Sequence, residues 1–182
     1  LMIVVGTLPL FLVLPINDSV EQLYYITPFI GVALLLTGCM LFVSDRMAPG
    51  KRTEKNMRFR DALIIGLCQC VATIPGLSRS GTTITAGIAT GLDRGFAMKY
   101  SFLLSLPAVL GANLLSFIKA LGEESIELSM VPAYLVGLLA AMLSGIAAIS
   151  LMKLIAKKSK FGWFAYYCWG AGLLTIVLSL TF

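Results

Sequence analysis

The sequence predicts an all-α, polytopic membrane protein with five transmembrane spans and one re-entrant helical hairpin. Three observations lead there. The chain is 58% hydrophobic and only 13% charged, with mean hydropathy +0.92, whereas soluble domains carry about 25% charged residues. Five apolar runs approach or exceed the roughly 20 residues that cross a bilayer core. Two shorter apolar pieces are separated by Pro75-Gly76.

Orientation follows from the loops. Arg46, Lys51, Arg52, Lys55, Arg58 and Arg60 fall between Ser44 and Asp61, and a second basic loop holds Lys153, Lys157, Lys158 and Lys160. The loops "NDSVEQ" and "LGEESIELS" contain no Lys or Arg. The positive-inside rule makes the basic loops cytoplasmic and the acidic loops external. Attraction of the basic loops to anionic lipid head groups is a compatible second reading. The net charge of +5 therefore points to a membrane partner and not to nucleic acid.

The spans then fall at 1–16 (short for a full crossing), 24–44, 100–121, 131–152 and 163–182. Basic and acidic loops alternate correctly only if residues 61–99 begin and end on the cytoplasmic side. The apolar pieces there, 62–74 and 81–92, would each reach only about 20 Å as helices, too short to cross. A hairpin that enters and returns satisfies both constraints.

Its tip lies in "TIPGLSRSGTTITAG", residues 73–87. Pro75 disfavours helix at Ile74, and Gly76 and Gly81 permit backbone angles other residues resist. The second short helix is expected to start near Ser80 or Gly81, aiming unpaired N–H groups and a positive dipole end into a cavity. Arg79 beside that helix start, with Ser78, Ser80, Thr82 and Thr83 as neutral donors, forms an anion site suited to phosphate. The bland alternative is an arginine that snorkels or pairs with an acid on a neighbouring helix, with the serines as simple N-caps. No acid lies within the tip; Asp61 and Asp93 sit at the hairpin base. A membrane arginine costs at least about 2.5 kcal/mol at helix centre, so an anionic ligand is the favoured partner.

At these residues the chain resembles a known family. "PGLSRSGTT", residues 75–83, is similar to the P-G-x-S-R-S-x-x-T signature of the bacterial undecaprenyl-diphosphate phosphatases, also called bacitracin-resistance proteins. "GLCQCVATIPG" before it and "SFLLSLPAVLGA" after it resemble the family too, and the likeness runs over essentially the whole chain. The resemblance implies hydrolysis of undecaprenyl diphosphate to the monophosphate and inorganic phosphate. That would recycle the lipid carrier for cell-wall synthesis and confer bacitracin resistance. It implies a multi-pass protein of the bacterial inner membrane whose site opens to the periplasm, and a homodimer is compatible with it. Arg79 would clamp the phosphoryl group, Ser78 would donate to it or orient the attacking group, and Thr83 would complete the pocket. Ser80, Gly81 and Thr82 join this phosphate-binding set from the physical reading above. Gln69, on the first short helix, is a further pocket candidate, although a plain interhelical hydrogen bond explains it as well.

The family fold has two inverted repeats, each a re-entrant hairpin and three spans. As a single membrane domain, residues 1–45 would supply the last two spans of the first repeat. Residues 46–60 form the basic loop, and 61–182 make a complete second repeat around the hairpin 62–92. The missing portion would carry the family's E/Q-x-x-x-E motif and a histidine-bearing tip, which are implied to bind a divalent metal (Mg or Ca) and do the acid–base work. This chain has no histidine and opens on Leu1. It is accordingly expected to be a truncated sequence that lacks the metal ligands and hydrolyses little or nothing alone.

Other features read as structural. Cys39, Cys68, Cys70 and Cys168 lie in apolar segments without metal-ligand spacing. Asp93-Arg94 is expected to cap the hairpin base, Lys99 to anchor the next span, Asn113 to bond another helix, Pro107 to kink its span, and "WFAYYCW" to form an aromatic belt. Two other functional classes stay open. A carrier-lipid translocase would also use a broken helix facing an anion, and a purely structural protein would be indifferent to Arg79.

Overall fold

The computed structural model describes residues 1–13, 15, 20, 22–48, 50–122, 130–157 and 162–181. Among the described residues the regular structure is helical. The α-helices are α1 (Met2–Thr7), α2 (Thr27–Arg46), α3 (Phe59–Val71), α4 (Arg79–Ala89), α5 (Arg94–Gly122), α6 (Val131–Lys157) and α7 (Gly162–Thr181). Four segments are long and apolar enough to cross a membrane: Thr27–Arg46, Arg94–Lys119, Val131–Leu151 and Gly162–Thr181. The protein is a multi-pass membrane protein. The two acidic loops lie largely outside the described residues, as do residues 158–160 of the second basic loop, whose residues 153–157 continue α6.

The first expected span does not appear as one helix. After α1 the chain tightens into a 3₁₀ segment, Leu8–Leu12, with Pro9 in its first turn. Proline has no amide to continue an α-helical ladder, which accounts for the change of helix type. α1 nevertheless packs closely on the hairpin. A Cβ on Gly66 would lie 2.4 Å from the Gly6 carbonyl oxygen, and one on Gly6 would lie 2.7 Å from the Tyr100 hydroxyl. That hydroxyl donates to the Met2 carbonyl at 2.8 Å.

α3 and α4 are the two short helices, of 13 and 11 residues. At 1.5 Å per residue they reach about 20 and 16 Å, against a hydrocarbon core of about 30 Å. α3 starts three residues before its expected position, and α4 starts next to the expected Ser80 or Gly81. α3 ends at Val71 because the Thr73 and Ile74 amides already turn back to Cys70 and Val71 ahead of Pro75. α4 starts at Arg79 because Ser78 caps it. Together with the head of α5 they form the core, where Ala62, Ile65, Leu92 and Leu104 are fully sealed.

The hairpin base is tied down by backbone and charge. α4 closes with a Schellman arrangement: the Leu92 amide donates to Gly87 O at 3.0 Å, the Gly91 amide to Ile88 O at 2.9 Å, and Gly91 takes φ +89°. Arg52, from the basic loop, lies beside this turn. Its amide donates to Gly91 O, its carbonyl accepts from the Asp93 amide, and its guanidinium meets Asp61 at 2.7 Å. The basic loop is thus seated on the hairpin.

Asp93 acts as a cap at the hairpin base, as expected, whereas Arg94 does different work. Asp93 caps α5, accepting from the Phe96 amide at 3.1 Å, so α5 begins at Arg94 and not at residue 100. Arg94 reaches the end of α2, donating to the carbonyls of Ser44, Asp45 and Met47 and to the Asp45 carboxylate at 3.3 Å. These are carbonyls a helix C-terminus leaves unpaired. The same carboxylate accepts from the Gly162 amide at the start of α7 at 2.7 Å. α2 extends through Arg46, which places Asp45 in its last turn.

α2 and α7 pack through small residues. Cβ atoms on Gly31 or Gly38 would meet Ile176 or Trp169 at 2.5 Å, and the Trp169 indole donates to Leu35 O at 3.2 Å. Trp163, Tyr166 and Tyr167 are exposed along the start of α7, while Trp169 turns inward. Lys99 pairs with Glu54 at 3.5 Å, both well exposed. Asn113 bonds its own helix, at Val109 O, and not a neighbour. Helix α5 runs through Pro107 without interruption.

Candidate anion-binding site

The tip is built from a turn and a cap. The Leu77 amide donates to Ile74 O at 3.1 Å, enclosing Pro75 and Gly76, and Gly76 has φ +90°. Proline second and a positive-φ glycine third is the arrangement of a type II turn. Glycine is required twice over, because a Cβ would lie 2.7 Å from Ile30 O and 2.8 Å from the Ala33 Cβ on α2. Ser78 follows as the N-cap of α4, its hydroxyl oxygen accepting from the Gly81 amide at 3.1 Å.

The cap sorts the candidate residues by which hydrogens remain available. Ser78 uses an acceptor lone pair on Gly81, so its O–H stays free to donate. The Arg79 and Ser80 amides head α4 and donate to no group among the described residues, as a helix start leaves them. Arg79 is half-buried and has no ion pair or hydrogen bond from its guanidinium among the described residues. The Ser80 side chain is exposed.

Thr82 and Thr83 are differently disposed. The Thr82 hydroxyl donates to Ser78 O at 2.8 Å. The Thr83 hydroxyl reaches Arg79 O at 3.0 Å, Ser80 O at 3.2 Å and the Ser101 hydroxyl on α5 at 2.6 Å. Both threonines are buried. Gly81 is buried too, against Leu41 of α2 and the Ser78 side chain. The structure therefore brings Ser78, Arg79 and Ser80 together as free donors, with Gly81, Thr82 and Thr83 behind them in the frame of the helix.

Gln69 is 1% exposed, and its Nε2 has no hydrogen-bond partner among the described residues. It lies in the last turn of α3, the helix that leads into the tip. A buried orphan amide costs about 1–3 kcal/mol. Sequence reasoning missed Thr37. This α2 residue bonds the tip on both sides, donating to Gly76 O and accepting from the Ser78 amide, each at 3.1 Å. One threonine in an apolar span gives no periodic or motif signal.

The family model described as bacitracin resistance protein BacA matches residues 1–174. The chain belongs to the BacA family. Curated relatives include an undecaprenyl-diphosphatase of Methanosphaera stadtmanae, 40% identical over 180 residues, covering 98% of this chain and 64% of that protein. Another, from Carboxydothermus hydrogenoformans, is 38% identical over 181 residues, covering 98% and 69%. The undecaprenyl-diphosphatase of Methanothermobacter thermautotrophicus is 38% identical over 184 residues, covering 98% and 99%. The chain spans about two thirds of the length of the first two relatives and nearly all of the third.

The BacA resemblance implies a divalent metal, and the tip offers neutral and cationic donors, which do not fit one. Among the described residues no group of three His, Cys, Asp or Glu is placed to hold a metal ion. The four cysteines are free thiols. What the tip can do chemically is bind and orient an anion.

Proposed function

We propose that this chain carries the phosphate clamp of an undecaprenyl-diphosphate phosphatase, the activity for which its BacA relatives are named. The enzyme hydrolyses the lipid diphosphate to the monophosphate and inorganic phosphate, recycling the carrier for wall synthesis and conferring bacitracin resistance. The observation that carries this reading is Arg79, half-buried and without a counter-ion among the described residues, beside two free amides at a helix start.

The clamp works by charge. The planar guanidinium grips two phosphoryl oxygens, and the Arg79 and Ser80 amides, the Ser78 O–H and the Ser80 hydroxyl take the others. Phosphoryl transfer needs little more from this part of a site than positioning and stabilisation of charge spread over those oxygens. Thr83 completes the pocket from behind, holding the first turn of α4 in shape through its bonds to Arg79 O and Ser80 O. Gln69, with its unpaired amide, is a further donor to the same anion. The acid–base groups and the divalent metal belong to parts of the family site that this tip does not supply, and a homodimer is compatible with the arrangement.

The topology that goes with this reading has α3 and α4 as a re-entrant hairpin from the cytoplasmic side. α1 and its 3₁₀ extension belong to a fifth span, residues 1–45 to one inverted repeat and 61–182 to the other. The lengths of α3 and α4 and the basic loop seated at their base support it. The site then opens to the periplasmic face. A broken helix whose N-terminus faces an anion also suits translocation of the carrier phosphate. Phosphate release in detergent, set against lipid movement in sealed vesicles, separates the two.

The test is Arg79→Ala and Arg79→Lys in a full-length BacA protein bearing these residues. Alanine abolishes phosphate release while membrane insertion persists, and lysine is also damaging because a point charge cannot reproduce the bidentate fork. Activity that survives Arg79→Ala refutes the clamp.

A further inference from the structure

Thr37 sits midway along α2 and is 2% exposed. Its hydroxyl contacts the hairpin tip across 39 and 41 positions of sequence, donating to Gly76 O and accepting from the Ser78 amide, both at 3.1 Å. These two groups flank Leu77, the last residue of the turn, where the chain has left α3 but has not yet entered α4. Backbone outside regular structure at membrane depth must find partners within the protein. Here one hydroxyl from another helix provides both, using its single donor and one lone pair.

We propose that Thr37 is a positioning residue for Arg79, resting on the reading of the tip as an anion clamp. The Ser78 amide is one residue from Arg79, and the Ser78 side chain sets the first turn of α4 through Gly81. Fixing Gly76 O and Ser78 N against α2 therefore fixes the direction of the free Arg79 and Ser80 amides and the root of the guanidinium. The packing of Gly76 against Ile30 and Ala33 sets how close the tip lies to α2. The Thr37 hydroxyl sets its rotation, which packing against a glycine cannot do. Thr37 touches no anion itself; it acts through Ser78. Valine has nearly the same shape but neither donor nor acceptor, so it leaves Gly76 O and Ser78 N to seek other partners and turns the helix start. Serine retains both bonds.

The experiment uses the full chain in lipid nanodiscs, titrated with inorganic pyrophosphate and followed by phosphorus NMR, with thermal unfolding in parallel. Thr37→Val is expected to weaken pyrophosphate binding roughly tenfold, Thr37→Ser to bind within about twofold of wild type, and Arg79→Ala to lose binding. Thr37→Ala replaces the valine variant if that fails to fold. Amide exchange at Ser78 is expected to quicken in the valine or alanine variant and not in the serine variant. Wild-type affinity in Thr37→Val or Thr37→Ala overturns the proposal, and so does a serine variant as impaired as these. Pyrophosphate binding that is absent in wild type, or unchanged in Arg79→Ala, overturns the clamp reading itself.

Discussion

The hydroxyls of Thr83 and Ser101 lie 2.6 Å apart, in residues that are 2% and 3% exposed. This contact joins α4 to α5 and is sealed from solvent. Because the Thr83 hydroxyl also reaches two carbonyls of its own helix, the two partners are not equally dependent on each other. Ser101→Ala is expected to cost about 0.5–1.5 kcal/mol, the net worth of one hydrogen bond. Thr83→Val, which strands the buried Ser101 hydroxyl, is expected to cost about 1–3 kcal/mol. Thr83→Ser is expected to fall below both. Unfolding in detergent followed by circular dichroism orders the three.

Gly76 and Gly111 make a matched pair. At Gly76 the positive φ and the contact with Ile30 O both oppose a side chain, so Gly76→Ala is expected to cost at least about 1–3 kcal/mol. Gly111 lies within α5 with open space where its Cβ would be, and Gly111→Ala is expected to stay within about 1 kcal/mol of wild type. Equal thermal midpoints for the two variants would contradict the tip geometry.

A shielded ion pair and an exposed one predict different losses. Arg94 is 13% exposed and Asp45 17%, and Arg94 also holds three carbonyls at the end of α2. Arg94→Ala is expected to cost about 1.5–3 kcal/mol, as for hydrogen bonds to charged groups. Lys99 and Glu54 are 64% and 76% exposed, and Lys99→Ala is expected to cost no more than about 1 kcal/mol, less at high salt. A salt titration of both midpoints checks the contrast.

Gln69 predicts opposite movements of stability and binding. Replacing a buried, unpartnered amide by an apolar side chain removes a desolvation cost, so Gln69→Leu is expected to raise the thermal midpoint. If its amide serves the anion, the same change weakens pyrophosphate binding. A variant that is more stable and binds as tightly as wild type would leave Gln69 outside the site.

Much of this protein is legible along the chain. The apolar runs follow from the cost of unpaired backbone and charge in lipid, and that cost depends on composition over short windows. The Pro75-Gly76 break and the Ser78 cap are equally local, since proline geometry, positive φ and capping act within a few residues. The segment ends were less legible. α5 starts at Arg94 because Asp93 caps it, and the first run changes helix type at Pro9. Several competent caps stand close together in sequence, and their relative strength depends on neighbours.

The long-range partners were not legible at all. Nothing local distinguishes Thr37 from a threonine that bonds its own helix, which is what Thr175 does at Ala171 O. Arg94 looked like part of a cap and instead closes the end of α2, while Asp45 ties that end to α7. Thr82 and Thr83 read as further donors beside Arg79, yet their hydroxyls face helix carbonyls. Local chemistry specifies that a tip of donors forms at Ser78, Arg79 and Ser80. Which of those hydrogens stay free, and what holds the tip still, depends on where α2 and α5 pack, and that packing brings together residues many turns apart in the chain.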